Sequence, residues 1–255
     1  MGQNFLIDGN ILRKITEISK ITKKDNVLEI GTGIGTLTEE LALNAKKVLA
    51  FEVDEGLREI LKETLPYDNV KIIFKDVLKA DLKEEIKREF GEESFKVAAN
   101  LPYYITTPII TMLIKENLNL ESITCMIQKE IAQRMVEKPH GKNYSSFSVF
   151  IQTYTEPVLG ATVPPTVFMP RPKVDSQVVL LKLKDIPVDP VYEKIVRGSF
   201  QNRRKTLINS LNTSIPEFTK EEIEDALNKM GLNKNVRAQE LSVQDFLQLK
   251  DNLIN

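Results

Sequence analysis

Between residues 26 and 99 the chain alternates short apolar runs with amphipathic stretches about ten residues long. Few folds accommodate that rhythm. Residues 26–30, 47–53, 70–74 and 95–99 read as strands, and 36–44, 55–65 and 82–90 read as helices between them. Such alternation predicts βαβ units, hence a parallel sheet with helices packed on it. A helix over 107–116 and a strand near 122–127 extend the pattern. Ahead of it, Ile11, Leu12, Ile15 and Ile18 recur at helical spacing over 8–21, with Asp8 placed as the cap. Two later runs, 157–163 and 176–184, flank a proline-rich stretch from Val163 to Pro172. Their separation and late position suit an antiparallel addition to the sheet edge.

After Asp185 the strand signal stops, and Pro187 and Pro190 mark a linker. Helical patterns follow over 190–200, 202–211, 220–230 and 242–253; Ile223, Ala226, Leu227 and Met230, for example, share one helix face. The expected organisation is an α/β sheet domain over 1–185 and a small all-α domain over 186–255. A chain of 255 residues is long enough to give both a core.

Composition removes several classes of function. Thirty-five basic and 36 acidic residues leave a net charge of −1, so any nucleic-acid surface must be local. A single cysteine, Cys125, and a single histidine, His140, exclude intrachain disulfides, zinc clusters and Ser-His-type catalysis needing more than one imidazole. Cys125 lies in an apolar run and reads as core; His140, in Pro139-His-Gly-Lys142, reads as an exposed loop residue. With no apolar run near 18 residues and no signal-peptide pattern, a soluble cytoplasmic protein is expected.

The strand ends carry the chemistry. Gly31-Thr-Gly33-Ile-Gly35 closes the first parallel strand and opens a helix, where glycines let the backbone turn sharply and approach a nucleotide-like ligand. An ordinary strand-to-helix turn would look similar, and the spacing is G-x-G-x-G rather than the dinucleotide pattern G-x-G-x-x-G. Glu52 ends the second strand, 21 residues after Gly31, where an acid can accept both ribose hydroxyls of an adenosine. Asp76, followed by Val77, ends the third strand, where a carboxylate can receive an adenine amino group. Each acid alone could be a helix cap or a solvated side chain. Their succession on three strand ends is much harder to obtain by chance.

The fourth strand ends in Asn100-Leu101-Pro102-Tyr103. The Asn100 side-chain oxygen and the Leu101 carbonyl can accept both hydrogens of an exocyclic amine. Pro102 fixes the backbone between them, and Tyr103 offers a face for stacking a base. A turn with one buried tyrosine is the plainer alternative.

These residues resemble class I S-adenosylmethionine-dependent methyltransferases, and the tetrad resembles the amine-reading motif of adenine N(6)-methyltransferases. More narrowly, the chain resembles the small-subunit ribosomal RNA adenine N(6),N(6)-dimethyltransferases of the KsgA type. The resemblance is carried by Gly2-Gln-Asn-Phe-Leu6, the glycine turn, the tetrad, Gln128-Lys-Glu130, Val163-Pro-Pro165, Pro172-Lys-Val-Asp-Ser176 and residues 200–207. It implies a Rossmann-like sheet with an antiparallel edge, S-adenosylmethionine as methyl donor, no metal, and dimethylation of two adjacent adenosines near the 3′ end of small-subunit rRNA. It also implies an immature small subunit as partner and a monomeric enzyme.

Residue by residue, the resemblance assigns Asn4, Leu6, Gly31, Gly33, Glu52, Asp76, Val77 and Asn100 to the donor. It assigns Asn100, Leu101, Tyr103 and Phe168 to the target adenine, Phe168 as the second aromatic of a sandwich. A phenylalanine tucked into the core is the alternative there. Relatives usually carry a short basic lead before the segment that here follows Met1, which implies a short or trimmed amino terminus.

For the RNA backbone the candidates are Arg171, Lys173, Arg203, Arg204 and Lys205. Residues 171–210 hold nine Lys/Arg against four acids, although a solvated face could explain that run. Four rivals share parts of the pattern, a weaker one being a DNA adenine methyltransferase, since those enzymes usually carry an acidic first residue in the tetrad or a target-recognition domain. A large-subunit rRNA adenine methyltransferase of the macrolide-resistance type has the same fold and tetrad, but commonly Ile where Leu101 stands. A ribosome assembly factor with secondary methylation is compatible with every motif. A nicotinamide oxidoreductase shares the glycines and the ribose acid but not the tetrad.

Overall fold

The computed structural model describes Phe5, Leu6 and the residues from Asp8 to Ile254; the predicted donor residue Asn4 lies outside the described residues. In chain order the elements are β1 (Phe5–Leu6), α1 (Gly9–Ser19), β2 (Asn26–Ile30), α2 (Thr36–Asn44), β3 (Lys47–Glu52), α3 (Arg58–Thr64) and β4 (Val70–Phe74). Then come α4 (Leu82–Phe90), β5 (Phe95–Asn100), α5 (Thr106–Lys115), β6 (Leu120–Gln128), α6 (Lys129–Val136), α7 (Ser146–Tyr154), β7 (Thr155–Val163), β8 (Phe168–Met169) and β9 (Ser176–Leu183). The chain closes with α8 (Pro190–Phe200), α9 (Leu207–Ser214), α10 (Lys220–Lys229) and α11 (Val243–Ile254).

The chain divides into two units, one running to Ala132 and including Glu156–Asp185, the other comprising Gln133–Thr155 and Ile186–Asn255. One boundary between the units falls between Asp185 and Ile186. Residues 133–155, expected in the sheet domain, belong instead with the C-terminal helices. The reason is a set of buried polar and aromatic contacts invisible to local pattern. The Tyr144 hydroxyl donates to the Leu241 carbonyl at 2.9 Å, the Thr153 and Tyr192 hydroxyls meet at 2.8 Å, and the Tyr144 and Phe200 rings pack edge-on at 5.9 Å. The helix expected over 202–211 starts later, because Thr206 caps α9 through the Asn209 amide and residues before it form a turn.

The first unit holds a seven-stranded sheet in the order β4-β3-β2-β5-β6-β9-β7. β4, β3, β2, β5 and β6 pair in parallel, and β9 pairs antiparallel with β6, as the late strand signals suggested. β2 is buried along its whole length, as a central strand of a parallel sheet covered on both faces would be, and it carries Val27, Leu28 and Ile30 beside the buried Glu29. α1 starts where the Asp8 carboxylate accepts from the Asn10 amide, and it buries Ile11, Leu12 and Ile15. With Leu37 and Leu41 of α2 these residues form an apolar cluster that also takes in Leu6, Val163 and Phe168. A separate two-stranded ribbon pairs Phe5 with Met169 and Leu6 with Phe168.

Strand order places the site. Crossovers from β2 run through β3 to β4 on one side, and the chain then returns to lay β5 on the other side of β2. The carboxyl ends of β2 and β5 therefore flank a topological switch point, where open α/β sheets bind their ligands. Gly31 follows one of these strands and Asn100 ends the other. Among the described residues no helix is long and apolar enough to cross a membrane.

Candidate active site

The glycine turn has the backbone its sequence demands. Gly31, Gly33 and Gly35 all have positive φ, at 80°, 54° and 89°, a region that side chains disfavour. Gly35 caps α2 from this conformation, and a Cβ there would lie 3.0 Å from the Leu61 and Leu65 side chains. Gly31 differs. A Cβ built on it would meet no atom within 4 Å, so the glycine leaves open space in front of the strand end.

Two open clefts lie at this point. Gly31 and Pro102 belong to the walls of both. The first brings together Leu6, Gly33, Asn100, Leu101, Tyr103 and Phe168. The second brings together Glu52, Asp76 and Val77. Of the described residues assigned to donor and target, each lines one cleft or the other. Arg203, Arg204 and Lys205 belong to the other unit and line neither.

Glu52 is 1% exposed and fully engaged. One carboxylate oxygen accepts from the Gly33 amide at 2.9 Å and the Thr32 hydroxyl at 3.1 Å, and the other from the Val53 and Asp54 amides at 2.8 and 2.9 Å. Four bonds occupy the capacity of a carboxylate. Glu52 thus clasps the glycine turn to the end of β3, and ribose hydroxyls would have to share or replace these bonds. Asp76 caps a short 3-10 turn by accepting from the Leu78 amide at 3.0 Å, with Lys79 at 3.8 Å from its other oxygen. The capping alternative is therefore realised together with a place in the cleft wall.

Glu29, two residues before Gly31, is fully buried, and neither of its oxygens engages a donor. Burial pushes its pKa up to about 8, the nearby Thr38 hydroxyl works against this, and the Glu52 charge works with it. The shift favours the neutral acid, and Glu29 lines neither cleft.

On the other side, the tetrad leaves the sheet in an irregular turn. The Leu101 amide donates to Met126 at 3.2 Å, and the Thr106 hydroxyl caps back onto the Pro102 carbonyl at 3.1 Å. Asn100 and Tyr103 are half-buried, and the Tyr103 hydroxyl shares a 2.7 Å hydrogen bond with that of Ser176. Phe168 lines the cleft with only 3% of its surface exposed, being packed in the apolar cluster. The core alternative is thus realised, with one part of the residue reaching the cleft wall.

Sequence reasoning did not single out every lining residue. Tyr104, 71% exposed, and Leu78 line the second cleft, and Thr32 stands with the glycines in the first. Tyr104 directly follows the tetrad, the one signal that could have marked it. Arg171 and Lys173 are exposed in the segment after β8, and Arg203, Arg204 and Lys205 are exposed in the turn before α9. The Arg203 guanidinium donates to the Lys142 carbonyl at 3.1 Å, and the His140 amide donates to Gln239 at 2.7 Å. Cys125 is buried in β6, where desolvation pushes its thiol up to about 12, so it is chemically quiet.

A parallel sheet with an antiparallel edge, carrying a glycine turn, two acids and an Asn-Leu-Pro-Tyr turn on successive strand ends, has the architecture of the class I S-adenosylmethionine-dependent methyltransferases. Known proteins narrow this. A family described as ribosomal RNA adenine dimethylase matches residues 1–255. The chain is 47% identical to the ribosomal RNA small subunit methyltransferase A of Bacillus licheniformis, over 99% of this chain and 90% of that protein. It is 48% identical to the protein of the same name from Geobacillus thermodenitrificans, over 100% and 90%. Among solved structures, a dimethyladenosine transferase from Plasmodium falciparum superposes with TM-score 0.84 at 27% identity, covering 96% of this chain and 95% of that one. The 23S rRNA methyltransferase ErmE gives TM-score 0.73 at 25% identity, covering 99% and 100%. The chain belongs to the ribosomal RNA adenine dimethylase family.

Proposed function

We propose that this protein transfers methyl groups from S-adenosylmethionine to the exocyclic N(6) amines of two adjacent adenosines near the 3′ end of small-subunit rRNA, acting in the cytoplasm on immature small subunits. One observation carries this reading: the glycine turn and the Asn100 tetrad line a single cleft at the switch point, while Glu52, Asp76 and Val77 line a second cleft that shares Gly31 with it. Relatives 46–48% identical over nearly the whole chain bear the small-subunit name, which favours that rRNA over the large-subunit one.

The residues present fit the donor. Gly31 leaves the space that a side chain would fill. Asp76 and Val77 would receive the adenine, Glu52 the ribose, and the turn at Gly31 and Gly33 the amino-acid end. Bound there, the donor supplies an electrophilic methyl group that carries its own leaving group.

The work left to the chain is to prepare the amine. An adenine N(6) lone pair is delocalised into the ring and is a poor nucleophile. The Asn100 side-chain oxygen and the Leu101 carbonyl would accept its two hydrogens and favour tetrahedral geometry, freeing the lone pair for in-line attack. Positioning of this kind supplies several kcal/mol when the reacting groups are held in register. As the N–C bond forms the amine becomes cationic, and its proton can leave to water, so no histidine is called for. The base must first leave its stack, at a cost of a few kcal/mol that stacking on Tyr103 and the edge of Phe168 would offset. Arg171 and Lys173 in the sheet unit, and Arg203, Arg204 and Lys205 in the helical unit, are the exposed cations assigned to the RNA backbone.

The test is mass mapping of methylated adenines after incubation with labelled donor and purified small or large ribosomal subunits. Two adjacent dimethyladenosines near the 3′ end of small-subunit rRNA are expected. Label confined to large-subunit rRNA would move the protein to the macrolide-resistance type.

A further inference from the structure

We propose that Ser176 is a positioning residue for the target base, holding the Tyr103 ring in place through its buried hydroxyl. This rests on the reading above in which Tyr103 stacks the flipped adenine. Tyr103 stands in an irregular turn beyond the end of β5, half-buried in the cleft wall, where sheet pairing no longer fixes the backbone. Ser176 is the opposite kind of residue. It is 0% exposed, it opens β9, and its backbone is registered against Gln128 of β6.

The start of β9 is secured twice more, by the Lys129 amide donating to the Asp175 carbonyl at 3.0 Å and by a 3.3 Å ion pair between the same two residues. The 2.7 Å bond between the Tyr103 and Ser176 hydroxyls therefore ties a loop aromatic to a fixed point of the sheet.

Stacking needs the ring plane held, and a tyrosine ring alone has free rotation about two side-chain bonds. One neutral hydrogen bond at the far end of the ring fixes where the hydroxyl sits and so the rotation about the first bond. The oxygen lies on the axis of the second, whose rotation the bond restrains only through the preference of the O–H for the ring plane. The bond also gives the tyrosine hydroxyl a purpose, since stacking by itself would be served by phenylalanine. The apolar cluster holds Phe168 by packing; Tyr103 is held by this bond.

The experiment compares the parent, Ser176→Ala, Tyr103→Phe and the double variant, with KM for small subunits, kcat and donor Kd measured for each. Both single variants should raise the subunit KM by about three- to tenfold, the scale of one hydrogen bond between neutral groups. Donor Kd should stay within about twofold, and the double variant should be no worse than either single one, because all three break the same bond. Tyr103→Phe keeps the proposal testable if Ser176→Ala disturbs β9. Unchanged subunit KM in both singles, multiplicative effects in the double, or a donor Kd that rises in step with KM would each overturn it. Tyr103→Ala separates the two levels. If that variant keeps the parent's KM, the stacking reading fails; if it loses subunit affinity while Ser176→Ala and Tyr103→Phe do not, only the anchor fails.

Discussion

The two clefts that meet at Gly31 and Pro102 are built on opposite plans. The donor side is locally wired. Glu52 bonds to Thr32, Gly33 and its own two successors, and Asp76 bonds two residues ahead. The target side is assembled from afar: Leu6 and Phe168 meet through a two-residue ribbon, and Tyr103 reaches Ser176 across 73 residues. The contrast teaches where each side can fail. The donor side is held by the carboxylates that are also meant to read the ligand, so a change there damages shape and recognition together. On the target side the groups proposed to read the amine, Asn100 and Leu101, are separate from the Leu6–Phe168 ribbon and the Tyr103–Ser176 bond.

The largest effect expected from breaking this division is at Asn100. Asn100→Ala removes one acceptor of the target amine and nothing that clasps the glycine turn. Turnover should fall by roughly a hundredfold or more, the usual cost of one positioned transition-state hydrogen bond, with the melting temperature little changed. Single-turnover rates and thermal melts check this; near-normal turnover would reduce Asn100 to a turn residue.

Glu52→Ala comes next and should behave differently. It orphans the Gly33, Val53 and Asp54 amides, so donor affinity should drop by about tenfold or more and stability by a few kcal/mol, both measurable by calorimetry. A variant that loses donor affinity at full stability would show that the clasp is not structural.

A smaller effect belongs to Glu29. Its folded pKa of about 8 lies above the ordinary carboxylate value, so the native state holds a proton that the unfolded chain releases. Its stabilising contribution is complete below the ordinary value and is lost as pH rises through about 8. Glu29→Gln, neutral at every pH, should flatten the fall in melting temperature between pH 5 and 8.5; parallel curves for variant and parent would place the charge elsewhere.

The same contrast explains how far the sequence could be read. The donor side was legible because its residues lie on successive strand ends in a regular βαβ rhythm, each within a few residues of its partners. Tyr104 escaped because an exposed aromatic in a turn leaves no periodic trace. Residues 133–155 escaped because what draws them to the C-terminal helices is a handful of tertiary bonds, such as that of Tyr144 to Leu241. Phe168 was placed by family resemblance alone. No local pattern indicates that a phenylalanine after a proline-rich run will pair with Leu6, 162 residues earlier.

The division of labour between the clefts is tested most directly by donor affinity in the Tyr103→Ala variant, measured by calorimetry beside its KM for small subunits. Tyr103 does not line the cleft of Glu52, Asp76 and Val77 and is assigned to the target adenine alone, so donor Kd should stay within about twofold of the parent while the subunit KM rises by about tenfold or more, as loss of base–aromatic stacking does. A donor Kd that rises as far as the KM would contradict the division and make the two clefts one indivisible site.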